Sequence, residues 1–164
     1  LAQLVDRPGH SAHLAVLHGR DVLYVVEERA PGRPPLVTDV GVRLPAHLTA
    51  SGRALLAALP AAQVRALYPH ADAFVDRTGR GPRSPSALRS LLVETRQRGH
   101  ATEDGEVTEG LASVAAAVLD HTGHPAAGIA VTYPVDEQQV DPAALAADVR
   151  RTAHLLTTRL GGRP

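Results

Sequence analysis

Residues 111–133 read Leu111-Ala112-Ser113-Val114-Ala115-Ala116-Ala117-Val118-Leu119-Asp120-His121-Thr122-Gly123-His124-Pro125-Ala126-Ala127-Gly128-Ile129-Ala130-Val131-Thr132-Tyr133. Two apolar runs, 111–119 and 126–133, flank Asp120-His121-Thr122-Gly123, which is a turn by composition. Apolar runs of strand length bounded by a turn read as paired strands. So short a connection joins them antiparallel, because parallel neighbours need a long crossover. One polar side chain interrupts the first run at Ser113, and another sits in the second at Thr132.

A second hairpin lies near the start of the chain. His13-Leu14-Ala15-Val16-Leu17 and Val22-Leu23-Tyr24-Val25-Val26 are β-rich, with His18-Gly19-Arg20-Asp21 as the loop. A further short strand is expected at Leu36-Val37-Thr38. Helices fill the rest. The Ala and Leu content of 49–59 predicts one helix, and Pro60 ends it and opens the next, through Leu67. Residues 74–83 are polar and loop-like. Ser84-Pro85 supplies a capping hydroxyl and a proline at the first helical position. Leu88, Leu91, Leu92 and Thr95 then share a face, Glu94 and Arg98 are spaced to pair, and Gly99 stops the helix. Asp141-Pro142 caps a last helix with Leu145, Val149, Leu156 and Leu160 at helical spacing, ended by Gly161-Gly162. Residues 1–7 resemble the tail of an earlier helix, stopped by Pro8-Gly9. Two hairpins with interspersed helices predict an α+β domain on an antiparallel sheet.

Composition narrows the function. At 164 residues the chain suits one domain with a core of its own. With no Cys, disulfides, thiolate metal sites and cysteine catalysis are excluded together. Seventeen basic residues, all Arg, balance seventeen acidic ones, which argues against this piece gripping nucleic acid by itself. Aromatics are only 2%, so the core is built from Leu, Val and Ala and offers few rings for stacking. No apolar run reaches the roughly 18 residues of a membrane span and no secretory signal opens the chain, so a cytoplasmic location is expected. The chain opens on Leu1 and contains no Met, which suggests a preceding segment.

The chemistry-bearing residues are few. No dinucleotide fingerprint, P-loop, zinc-protease or nucleophile-elbow pattern occurs. His121 and His124 flank a turn and lack a third ligand, so no metal or cofactor is expected. Ala50-Ser51-Gly52 opens a helix whose first amides have no internal acceptor and favour an anion. The same pattern also fits an ordinary capped helix packed on the sheet. Glu103-Asp104-Gly105-Glu106 reads as an acidic turn, functional only if the first carboxylate turns inward. Ser113 and Thr132 need partners, from backbone or ligand, if they are buried.

Taken in order, these segments resemble the effector-binding domain of the IclR family of bacterial transcriptional regulators. The resemblance is carried by Ser11-Ala12-His13-Leu14-Ala15-Val16-Leu17, by Gly41-Val42-Arg43-Leu44-Pro45-Ala46-His47 and by Ala50-Ser51-Gly52-Arg53-Ala54-Leu55-Leu56-Ala57. The turn Arg98-Gly99-His100-Ala101, the acidic cluster, Gly110-Leu111 and Asp120-His121-Thr122-Gly123 follow in register. It implies a GAF-like fold, a curved antiparallel sheet flanked by helices. It also implies a small effector, a carboxylate or aromatic acid, in a pocket made by Leu36, Ala50, Ser51, Glu103, Ser113, Ala130 and Thr132. Leu36 would be an apolar wall, and Ala50 and Ser51 would offer amides. Glu103 stands where relatives often carry Asp, and Ser113 where many carry Cys. Tyr133-Pro134 replaces the family's Gly-Pro, which places a phenol either at the pocket mouth or in solvent. Residues 1–8 would end a linker helix from a winged helix-turn-helix outside this chain, with 9–164 as the sensing domain. The implied partners are the effector, a second copy in a dimer or tetramer, and operator DNA through the absent domain. A ligand-free dimerisation module and a small acid–base enzyme using Glu103 with His47 or His100 are the competing readings.

Overall fold

The computed structural model describes residues 1, 4, 10–29, 38–138 and 140–163. The helix expected over 1–7, the loop at 30–35 and the strand positions Leu36 and Val37 fall largely or wholly outside these residues, and Thr38 lies in a turn. Six strands form one curled antiparallel sheet: β1 (Ser11–His18), β2 (Asp21–Arg29), β3 (Arg43–Pro45), β4 (Ala101–Asp104), β5 (Leu111–Leu119) and β6 (Pro125–Pro134). Their spatial order is β3-β2-β1-β6-β5-β4. Both expected hairpins form, and β1 pairs with β6 to join them into one sheet. The α+β architecture on a curved antiparallel sheet is therefore the one found.

Two short strands escape a sequence reading. β3 has three residues and no alternation to detect. β4 ends inside the stretch read as an acidic turn, so Glu103 and Asp104 are strand residues and only Gly105 and Glu106 turn. Partner strands supply the hydrogen bonds that such brief segments cannot supply alone, which is why polar composition misled.

Among the described residues the longer helices are α1 (Ala50–Ala58), α2 (Ala61–Leu67), α3 (Pro85–Arg98) and α4 (Pro142–Arg159). Their ends obey local chemistry. Ser84 Oγ accepts from Ala87 N at 3.2 Å, and Asp141 Oδ1 accepts from Ala143 N at 2.9 Å. Gly99 closes α3 in the left-handed region at φ 72°, where a side chain would be strained. The expected Glu94–Arg98 pair does not form, since water competes well for exposed charges. Leu160 caps α4 rather than extending its buried stripe, and is 50% exposed.

Period-two alternation divides the sheet into two faces. Ala112, Val114, Ala116 and Val118 of β5, with Ile129 and Val131 of β6, face Leu145, Val149 and Ala153 of α4. Ser113, Ala115 and Ala117 face the other way, toward α1. There Leu55, Leu56, Leu88 and Leu92 form a core with Val22 and Tyr24, each such leucine contributing roughly 1.5–3 kcal/mol on burial. Leu88, Leu92 and Thr95 are the buried positions of α3, as their spacing predicts.

Candidate functional site

The start of α1 lies on a floor of small side chains. The sheet register aligns Ala101, Ala115 and Ala130 across β4, β5 and β6, and Ala50 and Ala54 pack on that row. A Cβ on Gly128 would stand 3.1 Å from Ser51 O, so the missing side chain lets α1 approach β6 closely. Gly52 serves the protein in the same way. A Cβ there would meet Ala46 O at 2.2 Å, so its smallness admits the Ala46 backbone and not a ligand. Thr49 Oγ1 accepts from Gly52 N at 3.0 Å and Thr49 O from Arg53 N at 3.0 Å. The amides of Ala50 and Ser51 are left with no acceptor inside the helix.

Two residues along the strands, Glu103, Ser113 and Thr132 stand side by side on β4, β5 and β6. Ser113 Oγ donates to Glu103 Oε1 at 2.9 Å and lies 2.9 Å from Thr132 Oγ1. Glu103 Oε2 accepts from Glu106 N at 3.2 Å. Glu103 is only 5% exposed. Burial raises its carboxyl to about 7, the Ser113 hydrogen bond opposes that rise, and the Glu106 charge adds to it. The inward carboxylate that a solvated acidic turn would not have supplied is thus present.

These two groups face one cavity. Thirteen side chains line it, among them Ala50, Ser51, Glu103, Ser113, Ala130 and Thr132. The empty space between its atoms, the open solvent at its mouth included, is about 400 Å³, of which about 20 Å³ is open to the centre of a water molecule. Six of the seven sequence-expected positions therefore converge, and Leu36 lies outside the described residues. Ser51 Oγ is buried with no hydrogen-bond partner, an arrangement that costs about 1–3 kcal/mol unless something fills it. Tyr24 reaches the same cavity, its phenol near the Thr49 and Ser51 hydroxyls but outside hydrogen-bond geometry. Burial, then the Glu103 charge, raises that phenol's pKa.

His13 is a site residue that sequence reasoning missed. It is fully buried on β1 and lines the cavity beside Ala130, its cross-strand partner. Its Nε2 is 2.8 Å from Thr38 Oγ1 and 3.7 Å from Glu27 Oε1, while Nδ1 has no partner. Burial, then the Arg29 charge, lowers its pKa to about 4, so the ring is neutral. The signal was the one that flagged Ser113, a polar residue inside an apolar strand run.

Tyr133 takes neither expected place. Strand alternation turns it to the opposite face, where it packs in the α4 core and meets His10 edge-on at 6.3 Å. The acid–base pairing also fails. His47 is locked among Tyr68 and Phe74 with Nε2 2.9 Å from Val75 O, and His100 Nδ1 lies 3.2 Å from Arg98 O. Neither histidine lines the cavity. Among the described residues no cluster of three His, Asp or Glu could hold a metal, and no helix is long and apolar enough to cross a membrane.

A buried Arg53 braces the site from below. Its Nε donates to His47 O at 2.8 Å and Nη1 to Thr102 O at 2.7 Å, and Nη2 pairs with Glu106 Oε1 at 3.0 Å. This fork holds α1, β4 and the turn after β4 in fixed relation.

Comparison with known proteins agrees with this arrangement. Residues 1–158 match the family described as bacterial transcriptional regulator IclR C-terminal. The chain is 36% identical over 162 residues to the glycerol operon regulatory protein of Streptomyces coelicolor, covering 96% of this chain and 62% of that one. It is 37% identical over 143 residues to the probable transcriptional regulator SauR of Cupriavidus necator, covering 86% and 56%. The crystal structure of the Agobacterium tumefaciens repressor BlcR superposes with a TM-score of 0.86 at 33% identity, over 99% of this chain and 64% of that one. The chain thus spans about three-fifths of the length of these relatives. The sheet, the helix start and the matched residues lead to one conclusion: the chain belongs to the IclR family of bacterial transcriptional regulators, as its C-terminal domain.

Proposed function

We propose that this domain senses a small carboxylate effector and thereby modulates operator binding by a winged helix-turn-helix outside the chain. The observation that carries the reading is the buried Ser51 hydroxyl, without a hydrogen bond, at a helix start where Thr49 caps Gly52 N and the Ala50 and Ser51 amides keep no intrahelical acceptor, opening into the cavity. A carboxylate placed there meets the Ala50 and Ser51 amides and the positive end of α1, an interaction of up to about 2 kcal/mol in partly buried geometry. The effector acts by binding one arrangement of the assembled regulator better than another, since only differential affinity moves such an equilibrium. The assembly is a homodimer or tetramer working in the cytoplasm.

A thermal-shift screen against aliphatic and aromatic carboxylates tests the reading. A binding acid at about 100 times its dissociation constant adds roughly 2.7 kcal/mol and raises the melting temperature. Ser51→Phe fills the helix-start end of the cavity and abolishes that rise. An undiminished rise in a folded Ser51→Phe protein removes this end of the cavity from the proposal, and silence across the panel moves the weight to an assembly module.

A further inference from the structure

The hydrogen bonds along the β4–β5–β6 wall have a direction. Glu103, as a carboxylate, only accepts. Ser113 therefore commits its single proton to Glu103 Oε1, 2.9 Å away. Thr132 Oγ1, 2.9 Å from the same serine oxygen, is then the donor of that contact. Its own proton is used, so Thr132 turns only lone pairs toward the cavity, as Glu103 does. The wall opposite has the reverse demand. The Ala50 and Ser51 amides need an acceptor, and the Ser51 hydroxyl, 1% exposed, makes no well-formed hydrogen bond, with the Tyr24 phenol as its polar neighbour.

We infer that the effector held between these walls is a small hydroxycarboxylate, its carboxylate on the Ala50–Ser51 amides and its hydroxyl donating to Glu103 and Thr132. The inference rests on the effector-site reading above and adds the chemical class. A keto acid or an unsubstituted acid satisfies the amide wall but offers no donor to the lone pairs that Glu103 and Thr132 keep beyond their bonds to Ser113 and Glu106 N. Sites built to bond a substrate hydroxyl reject analogues lacking it far more strongly than apolar pockets reject a methylene. His13 Nδ1, also unpartnered and lining the cavity, provides one further contact for a second polar group on the same molecule.

Isothermal titration calorimetry of the full chain tests this at about pH 8.5, where Glu103 is ionised. The probes are matched sets: lactate, propionate, pyruvate and alanine; 3-hydroxybutyrate and butyrate; mandelate and phenylacetate. In at least one set the hydroxy acid binds about tenfold or more tightly than its deoxy counterpart. Thr132→Val then brings that ratio toward one and Thr132→Ser restores it; Glu103→Gln, measured in the same way, serves if Thr132→Val does not fold. Deoxy or keto acids binding as tightly as the hydroxy acid in every set overturn the hydroxyl assignment and leave the carboxylate site standing. Alanine binding ahead of lactate assigns the wall to an ammonium and overturns it too. No binding by any probe overturns the class and the site reading together.

Discussion

Arg53 Nη2 lies 3.0 Å from Glu106 Oε1, and this ion pair fastens the helix that opens the cavity to the turn behind Glu103. Arg53 is 2% exposed and its remaining donors hold the carbonyls of His47 and Thr102. The pair therefore positions both walls of the cavity at once, although neither residue lines it.

Truncating this arginine takes a donor from the carbonyls of His47 and Thr102 and leaves the partly buried Glu106 carboxylate with the Asp104 amide but no counter-charge. Arg53→Ala is expected to lose about 3–5 kcal/mol, the usual result of breaking a buried pair from one side. Arg53→Lys recovers little, because a single ammonium cannot make three divergent contacts. Urea unfolding of both variants checks this, and a lysine variant as stable as the parent would falsify the bracing role.

Gly52 and Gly128 should respond differently to the same added methyl. In Gly52→Ala the Cβ meets backbone at 2.2 Å, so α1 must move or the Ala46 turn must open. The expected cost is about 3 kcal/mol or more, at the upper end for overpacking, with loss of any ligand-induced thermal shift. Gly128→Ala has its nearest atom at 3.1 Å and should cost roughly 1–2 kcal/mol. Equal stability losses in the two variants would remove the Ala46 contact as the reason for glycine.

The pH dependence separates two buried titrating groups. Glu103 titrates at about 7 when folded against 4.5 for the free side chain, so the folded state holds the extra proton between them. Stability from this group accordingly falls as pH rises through that window. His13 runs the other way: folded at about 4 against 6.5, it costs stability as pH falls between those values. The two oppose each other in mildly acid solution. Glu103→Gln removes only the first, so its stability relative to the parent should rise from about pH 5 to about pH 8. Urea midpoints of the two proteins at both pH values give the answer, and parallel profiles would mean an unshifted carboxyl.

Tyr133 provides the control for face assignment. Its ring packs with His10 and the α4 core, on the side of the sheet away from the cavity. Tyr133→Phe should leave ligand-induced thermal shifts unaltered and change stability by about 1 kcal/mol at most. A loss of ligand response would place the phenol at the cavity after all.

The sequence by itself determined the elements with strong local chemistry. Strands 111–119 and 126–133, the hairpin at His18-Gly19-Arg20-Asp21, and the caps Ser84 and Asp141 follow from periodicity, turn residues and side-chain oxygens. So does the alternation of side chains within each strand, because it is fixed by the backbone, whereas the register with β5 sets Thr132 beside Ser113. Six of the seven site positions expected from resemblance also meet at one cavity. Tertiary structure alone decided the rest. Glu103 reads as a solvated turn residue until β4 finds its edge beside β5, since four residues carry too little periodicity to declare a strand. Tyr133 acquires its side of the sheet only from the register with β5. His13, Tyr24 and Arg53 are separated along the chain from the helix start or acidic strand they serve, and only long-range packing brings them there. Local signals act over a few residues, whereas a cavity is made of side chains that folding brings together from six different elements and the turns between them.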